Sequence, residues 1–310
     1  MTVVVFAYHD VGCRGIRTLR RLGVPIGLVH TPADDPRENR WFGSVRRVCE
    51  ELSIPCVVGA DPHEPAEVER IRALRPPALL SFYWRDLLRD DVLALAPVAL
   101  NLHGSLLPRY RGRAPVNWML LHGETQGGVT LHHMVRRADA GDIVDQEPFP
   151  IGDDDTPTEV YAKLLAAAET VLLRSALPAI AGTAPRIRQM ESKATTFGRR
   201  TPDDGRIDWR WSAEDVRNLV RAVTEPYPGA FTSAGAQKVL VWEALSARPD
   251  GARRALAPGT VCHDEGRVHV VCGDRRTVRL VRVEADGRRG DPREFPRVLP
   301  EGAVLGAGGA

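Results

Sequence analysis

The sequence predicts an α/β protein in which a doubly wound parallel sheet is followed by a small antiparallel β domain, either a barrel or a sandwich. Two observations predict this fold. Before Ile180, short apolar runs alternate with helix-like stretches, which is typical of parallel strands covered by helices on both faces. After residue 200, short β-like runs lie close together with Gly or Pro between them, which is typical of antiparallel strands.

The strands predicted in the first part of the chain are its mostly apolar runs, at residues 3–8, 26–31, 55–59, 78–83 and 98–104. Amphipathic stretches between these runs predict helices over residues 15–22, 44–52 and 64–74. Two further β-like runs, 129–135 and 143–149, are close enough in sequence to form a hairpin. Residues 156–180 predict a long helix that Pro178 interrupts near its end. In such folds, ligands bind beyond the carboxyl ends of the strands.

The change of pattern near residue 200 predicts two domains. We expect a catalytic domain over residues 1–185, a linker over 186–200 and a β domain over 201–300. The Gly-rich segment 301–310 is expected to be a disordered tail.

Composition is that of a soluble globular protein, with 43% hydrophobic and 26% charged residues. A formal net charge of +2 does not favour binding to nucleic acid or to an anionic membrane. The first residues lead directly into a strand without a basic segment, and no apolar run approaches the ~20 residues of a membrane span. Five scattered cysteines fit a reducing compartment, so a cytoplasmic location is expected. The oligomeric state stays open.

A dinucleotide site is not indicated, although the fold class invites one. The first strand is followed by Gly12-Cys13-Arg14-Gly15 and not by GxGxxG, and no acidic residue ends the second strand to bind a ribose hydroxyl. The chain has no GxxxxGK[ST] loop for a nucleoside triphosphate. We therefore expect no NAD-dependent activity.

The segment NLHGSLLPRYRGR, residues 101–113, carries the clearest chemical signal. Asn101 and His103 are two residues apart at the carboxyl end of a buried strand, so both side chains point to the same side. Acyl transfer to an amine needs such a pair, because an amide can hold the oxyanion of a tetrahedral intermediate and an imidazole can carry the proton. A carboxylate at Asp139 would then stabilise the charged imidazole.

Less specific interpretations compete with this one. A histidine at a strand end is about as often structural as catalytic, and an Asp before a small-Gly turn is usually a turn residue. The pair His132-His133 suggests a metal site, but adjacent strand residues face opposite ways and no third ligand has suitable spacing. We therefore expect no metal.

Residues 101–113 resemble the SLLPxYRG-type signature of the 10-formyltetrahydrofolate-dependent formyltransferases, with its upstream Asn-x-His and its later Asp. The resemblance continues in FAYHDVGCRG, SFYWRDLL, RGRAPVNW, GVTLHHMVRRADAGDIV, ATTFGRRTPDDGRIDW and EPYPGAF. These segments are most similar to the UDP-4-amino-4-deoxy-L-arabinose formyltransferases, the transferase half of the bifunctional polymyxin-resistance protein, which acts in lipid A modification. The resemblance covers about residues 1–245 and implies a Rossmann-like domain followed by an OB-like barrel.

The resemblance also implies roles for individual residues. Asn101 would stabilise the oxyanion, His103 would carry the proton, and Asp139 would set the charge of His103. The co-substrate 10-formyltetrahydrofolate would bind residues on three segments of the chain: Asp86, Leu87, Leu88, Arg113, Val135, Arg136, Arg137, Ala138 and Asp139. The other partner would be a nucleotide-linked amino sugar, with no NAD and no metal.

The chain departs from this subgroup at two positions and in length. Asp86 stands where the subgroup has His, and the segment after Ala96 is one residue shorter. The chain also stops before the NAD-dependent decarboxylase half, so we expect a stand-alone transferase whose sugar can differ.

Two other functions remain as alternatives. Formylation of methionyl-tRNA would need a basic second domain, but from Phe197 onward 19 Lys and Arg face 16 Asp and Glu, a net of +3. A catalytically inactive binding module is disfavoured because Asn101, His103 and Asp139 are all present.

Overall fold

The computed structural model describes residues 2–36, 39–247 and 255–306. It divides into two units, each compact in itself. The first comprises Met1–Pro115, Gln126–Ile151 and Tyr161–Gly198, and the second comprises Val116–Thr125, Gly152–Val160 and Arg199–Ala310. Most of the predicted linker, from residue 186 to Gly198, belongs to the first unit, and its last two residues belong to the second. The last four residues of the predicted disordered tail lie outside the described residues, whereas Val304 within it pairs with Thr260.

Strands of the first unit are short and mostly buried. They are β1 (Val3–Ala7), β2 (Ile26–Thr31), β3 (Cys56–Val58), β4 (Ala78–Phe82), β5 (Val98–His103), β6 (Arg111–Gly112), β7 (Gln126–His133), β8 (Ile143–Pro150) and β9 (Thr196–Phe197). Seven of them form one sheet in the order β3-β2-β1-β4-β5-β7-β8, while β6 pairs with β9 in a separate two-stranded sheet. The five strands β1 to β5 are parallel, as the apolar runs predict.

The predicted hairpin is confirmed, and it makes the sheet mixed instead of wholly parallel. β7 pairs antiparallel with β5 and β8 pairs antiparallel with β7. The connection between β7 and β8, residues 134–142, is too short for a parallel crossover, which needs a dozen or more residues. The pairing of β5 with β7 sets Asn101 opposite His132.

The helices are α1 (His9–Arg21), α2 (Val45–Glu51), α3 (Pro65–Leu74), α4 (Asp90–Leu93), α5 (Pro115–Leu121), α6 (Pro157–Ile180) and α7 (Ala213–Val223). α1 begins six residues before its predicted start. Gly15 lies within it because a Cβ there would meet the Phe82 ring at 2.5 Å, so the glycine lets the helix approach the sheet. The predicted interruption of α6 at Pro178 is not observed, because the helix continues through Pro178 and ends at Ile180.

The second unit is built on an antiparallel sheet, as predicted. Its strands are β10 (Ala230–Ala234), β11 (Gln237–Ala247), β12 (Val261–Asp264), β13 (Arg267–Val271), β14 (Thr277–Ala285) and β15 (Arg288–Gly290). The order is β10-β11-β14-β13-β12, with β15 on β14. Helix α7 was not predicted. It begins after Ser212, whose hydroxyl accepts from the Asp215 amide, and it buries one apolar face that includes Val216 and Leu219.

Within the described ranges, every helix is too short or too polar to cross a lipid bilayer.

Two buried histidines make the stability of the first unit depend on pH. Burial, and then the charge of Arg85, lowers the pKa of His9 to about 3. Burial, and then the charge of Arg70, lowers the pKa of His30 to about 4, although the Glu67 carboxylate lies 3.6 Å from its Nε2. In the unfolded chain, both imidazoles bind a proton below about pH 6.5.

We expect the urea midpoint of unfolding to fall as the pH is lowered from 7 to 5. Between these pH values the two histidines bind protons in the unfolded state but not in the native state. Each histidine therefore lowers the free energy of unfolding by up to about 1.4 kcal/mol per pH unit. His30→Phe should flatten this slope, because its ring can keep the stacking on Phe6 without titrating. His122→Ala, at an exposed position, is the matched control and should keep the wild-type slope. An unchanged slope in His30→Phe would contradict the prediction.

Candidate active site

Asn101 and His103 lie at the carboxyl end of β5, where the predicted ligand edge of the sheet is found. His103 is buried and Asn101 is half-buried. Because strand residues alternate between the two faces, both side chains point to the same face, and Leu102 between them is buried against the other. The predicted pairing of the two groups along one strand is therefore observed.

Asp139 brings the predicted groups together. Its Oδ1 accepts a hydrogen bond from Asn101 Nδ2 at 3.3 Å and lies 3.6 Å from His103 Nδ1. Its Oδ2 accepts from the Gly112 amide at 2.8 Å. Only 12% of its side chain is exposed, so its charge acts on its neighbours with little screening by water.

The charge of Asp139 is secured by these neighbours. Burial by itself would raise the pKa of the carboxyl. The imidazoles of His103 and His132 and the amide of Gly112 outweigh that effect and hold the pKa well below its usual range. Asp139 is therefore an anion at neutral pH.

The orientation of the His103 ring follows from its contact with a backbone carbonyl. Nε2 lies 2.7 Å from the Tyr110 oxygen, which can only accept, so Nε2 carries the proton and donates. In the neutral imidazole, Nδ1 is then the nitrogen that can take up a proton, and it faces Asp139. Tyr110 and Asp139 have positive φ angles, 60° and 52°. Such strained backbone conformations are found more often at functional sites than elsewhere.

His132 is a site residue that the sequence reasoning missed. It is buried opposite Asn101, with Nε2 3.1 Å from Asn101 Nδ2 and 3.4 Å from Asp139 Oδ1. Its Nδ1 donates to the His133 carbonyl at 2.9 Å, so neutral Nε2 is an acceptor. The alternation within β7 contained this signal, because it directs His132 and His133 to opposite faces.

The loop that follows His103 is held by polar side chains on the hairpin. Thr130 donates to the Ser105 carbonyl at 2.6 Å and accepts from the Leu107 amide at 3.1 Å. Gln146 donates to the Leu107 carbonyl and to the Thr130 hydroxyl, at 3.0 and 2.8 Å. These contacts fix the path of the chain from His103 to Tyr110, whose carbonyl orients the imidazole.

The residues predicted to bind the donor fall into exposed and buried members. Leu87 and Val135 are large apolar side chains that are 60% and 43% exposed. Arg113 Nη2 lies 3.6 Å from Asp86 Oδ1, in an ion pair that is exposed to solvent. Leu88, in contrast, packs in the hydrophobic core with Val92. Arg136 and Arg137 are exposed, Ala138 is half-buried, and all three lie on the loop that ends at Asp139.

An amide, an imidazole and a carboxylate gathered at one sheet edge are the groups of an acyl-transfer enzyme. Comparison with known families agrees. Residues 19–176 match the formyl transferase family, and residues 199–297 match the formyl transferase C-terminal domain. The first match alone spans about half of the chain, and the chain belongs to the formyl transferase family.

Solved structures with the same fold include several sugar formyltransferases. WlaRD, a sugar 3N-formyl transferase in the presence of dTDP and 5-N-formyl-THF, has a TM-score of 0.70 and 16% identity, covering 93% of this chain and 98% of that one. An N-formyltransferase from Helicobacter canadensis, in complex with folinic acid and dTDP-3-aminofucose, has a TM-score of 0.67 and 16% identity, covering 90% and 98%. A sugar N-formyltransferase from a Shewanella species has a TM-score of 0.60 and 17% identity, covering 74% and 92%. At these identities the likeness shows the fold.

Proposed function

We propose that the chain transfers the formyl group of 10-formyltetrahydrofolate to the amine of a nucleotide-linked amino sugar. The observation that carries the proposal is the position of Asp139, within 3.6 Å of both Asn101 Nδ2 and His103 Nδ1 at the ligand edge of the sheet. In this reaction the amine nitrogen forms a bond to the formyl carbon, and the bond from that carbon to N10 of the folate breaks. The proton that the amine loses ends on N10.

His103 carries that proton in the proposed mechanism. Because Nε2 is committed to the Tyr110 carbonyl, the proton goes to Nδ1, next to the Asp139 carboxylate. The resulting imidazolium has an acceptor on each nitrogen, and the negative charge of Asp139 stabilises it. The same nitrogen then returns the proton to the leaving N10.

Asn101 stabilises the oxyanion in the proposed mechanism, and this requires a change of partner. Both N–H groups of its amide are engaged, one with Asp139 and one with His132. A hydrogen bond to a carboxylate is stronger than one to a neutral imidazole. We therefore expect Asn101 to keep Asp139 and to exchange His132 for the oxyanion.

The donor site that we propose comprises Asp86, Leu87, Leu88, Arg113 and the segment 135–139. The open apolar side chains Leu87 and Val135 fit a flat pterin, and the Arg113 guanidinium fits its polar edge or a carboxylate. The folates named in the WlaRD and Helicobacter canadensis structures support this choice of donor.

For the acceptor we propose a nucleotide-linked amino sugar, with UDP-4-amino-4-deoxy-L-arabinose as the first candidate because of the motifs in residues 1–245. That sugar would connect the enzyme with lipid A modification and polymyxin resistance. The dTDP-linked sugar named in the Helicobacter canadensis structure makes dTDP-amino sugars the second candidate. Five free cysteines support a reducing compartment, and we propose the cytoplasm.

A mass-spectrometric assay tests the proposal directly. With 10-formyltetrahydrofolate as donor, we expect one formyl group to be added to at least one free-amine sugar in a panel of UDP- and dTDP-linked amino sugars. The N-acetylated form of the same sugar is the substrate control and should stay unchanged, and His103→Ala is the enzyme control. Formylation of methionyl-tRNA without turnover of any sugar, with an affinity that falls steeply with salt, would contradict the proposed acceptor.

A further inference from the structure

Gln189 is a buried side chain that contacts the Asp139 loop and is not part of the predicted site. Its Nε2 donates to the backbone carbonyls of Asp139 and Gly141, each at 2.7 Å. Its Oε1 accepts from Nε and Nη2 of Arg111, at 3.1 and 2.7 Å. The side chain is 5% exposed, and all of its hydrogen-bonding groups are paired within the protein.

Arg111 fixes the orientation of this amide. Its guanidinium is fully buried, and it can only donate, so Oε1 of Gln189 must face it and Nε2 must face the two carbonyls. Glu191 accepts from Nη1 and Nη2 of Arg111, at 3.1 and 2.7 Å, and holds the guanidinium from its other side. The neighbour of Arg111 in sequence, Gly112, donates its amide to Asp139 Oδ2. Asp139 is therefore held at its carboxylate by Gly112 and at its carbonyl by Gln189.

The backbone that Gln189 holds needs external support. Asp139 has a φ of 52°, in the left-handed region that is unfavourable for a residue with a side chain. Two residues later, Gly141 approaches β7 so closely that a Cβ would lie 1.9 Å from the His133 carbonyl oxygen. The two hydrogen bonds from Gln189 are on either side of Ala140 and tie both carbonyls to one rigid partner.

We propose that Gln189 is a positioning residue for catalysis, which sets the distance from the Asp139 carboxylate to His103 and Asn101. The inference rests on the proposed function of Asp139. It acts through the backbone, because Gln189 contacts carbonyl oxygens and not the reacting groups. Arg111 fixes the orientation of the Gln189 amide, and Glu191 holds Arg111 in place.

Two variants test this role. Gln189→Ala removes all four hydrogen bonds. The near-isosteric Gln189→Glu keeps the acceptor for Arg111 but replaces Nε2, which donates twice, with one oxygen that faces both carbonyls. We expect kcat to fall about 10²-fold in both, the loss that a misplacement of about 1 Å can cause, while KM for the donor changes only a few-fold. Gln189→Glu keeps the volume and the Arg111 contact, so it preserves the test if the alanine variant does not fold.

Two further measurements separate positioning from a general loss of stability. In the double mutant with Asp139→Asn, the second substitution should add little, because both act on one carboxylate. The loss of kcat in Gln189→Ala should grow with pH as it does in Asp139→Asn. Asn117→Ala is the matched control, since Asn117 is a buried amide that donates to the Ala222 carbonyl at 2.7 Å in the second unit. It should lower the unfolding midpoint without changing kcat.

The possible outcomes are distinct. If Asp139→Asn lowers kcat but both Gln189 variants keep it within a few-fold of wild type, the positioning role is wrong and the proposed function stands. Losses that multiply in the double mutant also overturn the positioning role, because independent effects do so. If Asp139→Asn itself leaves kcat unchanged, the proposed mechanism fails and the inference fails with it.

Discussion

Replacing His103 with alanine is expected to lower kcat by about 10²- to 10⁴-fold, the usual effect of losing a positioned acid–base group. No other side chain can take over the proton at the same place. His132, the nearest imidazole, shares Asp139 with His103, but its ring centroid lies 6.5 Å away and its Nδ1 is committed to the His133 carbonyl. The measurement is kcat for formylation of the best acceptor found in the panel, at saturating donor and acceptor.

Asn101→Ala is the companion variant, and its expected loss is about 10²- to 10³-fold, as for a single oxyanion donor. The double variant of Asn101 and His103 should lose less than the product of the two single losses, because both groups act on one tetrahedral intermediate. Folate binding, measured by thermal shift, should persist in all three, since neither side chain is among the proposed donor-binding residues. Activity of His103→Ala within a few-fold of wild type would show that His103 does not carry the proton.

The second large effect is expected for Asp139→Asn. The substitution keeps the shape, and the amide oxygen can still accept from Gly112, but the negative charge beside His103 and His132 is lost. We expect kcat to fall about 10²-fold or more at neutral pH, an effect of the size seen for other preorganised electrostatic contacts. The loss should grow as the pH rises, because the imidazolium that forms during the reaction becomes more costly without its counter-charge.

The titration of Asp139 itself does not contribute to this pH dependence. Its pKa lies well below the usual range of a carboxyl, so it stays ionised over the whole interval of such an experiment. Asp142→Asn is the matched control: Asp142 lies three residues further along the same loop and pairs with Arg186, at 3.3 Å. It should retain activity within a few-fold at every pH. An Asp139→Asn profile parallel to that of wild type would contradict a charge effect.

Local patterns predicted most of the first unit. The apolar runs that became β1, β2, β4 and β5 agree with the observed strands to within one residue at each end. The helices α2, α3 and α6 begin one residue after their predicted starts, whereas the start of α1 was wrong. α1 begins at His9, where φ is 63°, and no sequence rule places a non-glycine residue in that conformation at a helix start. The helices α4, α5 and α7 were also missed.

The predicted site residues show a similar division. Asn101 and His103 could be paired from the sequence because the alternation of a strand is a local property. His132 was considered only as a metal ligand and was set aside on strand alternation. Its partners, Asn101 and Asp139, could not be inferred locally, because the pairing of β5 with β7 and the loop after β7 supply them. Leu88 and Leu87 are neighbours in the proposed donor site, but only the tertiary structure shows that Leu88 is buried in the hydrophobic core while Leu87 is exposed.

The sequence by itself determined the order of the strands along the chain, the antiparallel character of the second unit and the face that carries Asn101 and His103. All of these follow from hydrophobic periodicity, which can be recognised among residues that are neighbours in the sequence. The tertiary structure alone decided that Asp139 lies beside both groups, that His132 joins them and that Gln189 bridges Arg111 to the Asp139 loop. These contacts connect residues 31 to 78 positions apart, so only the packed chain brings their hydrogen-bonding groups within reach.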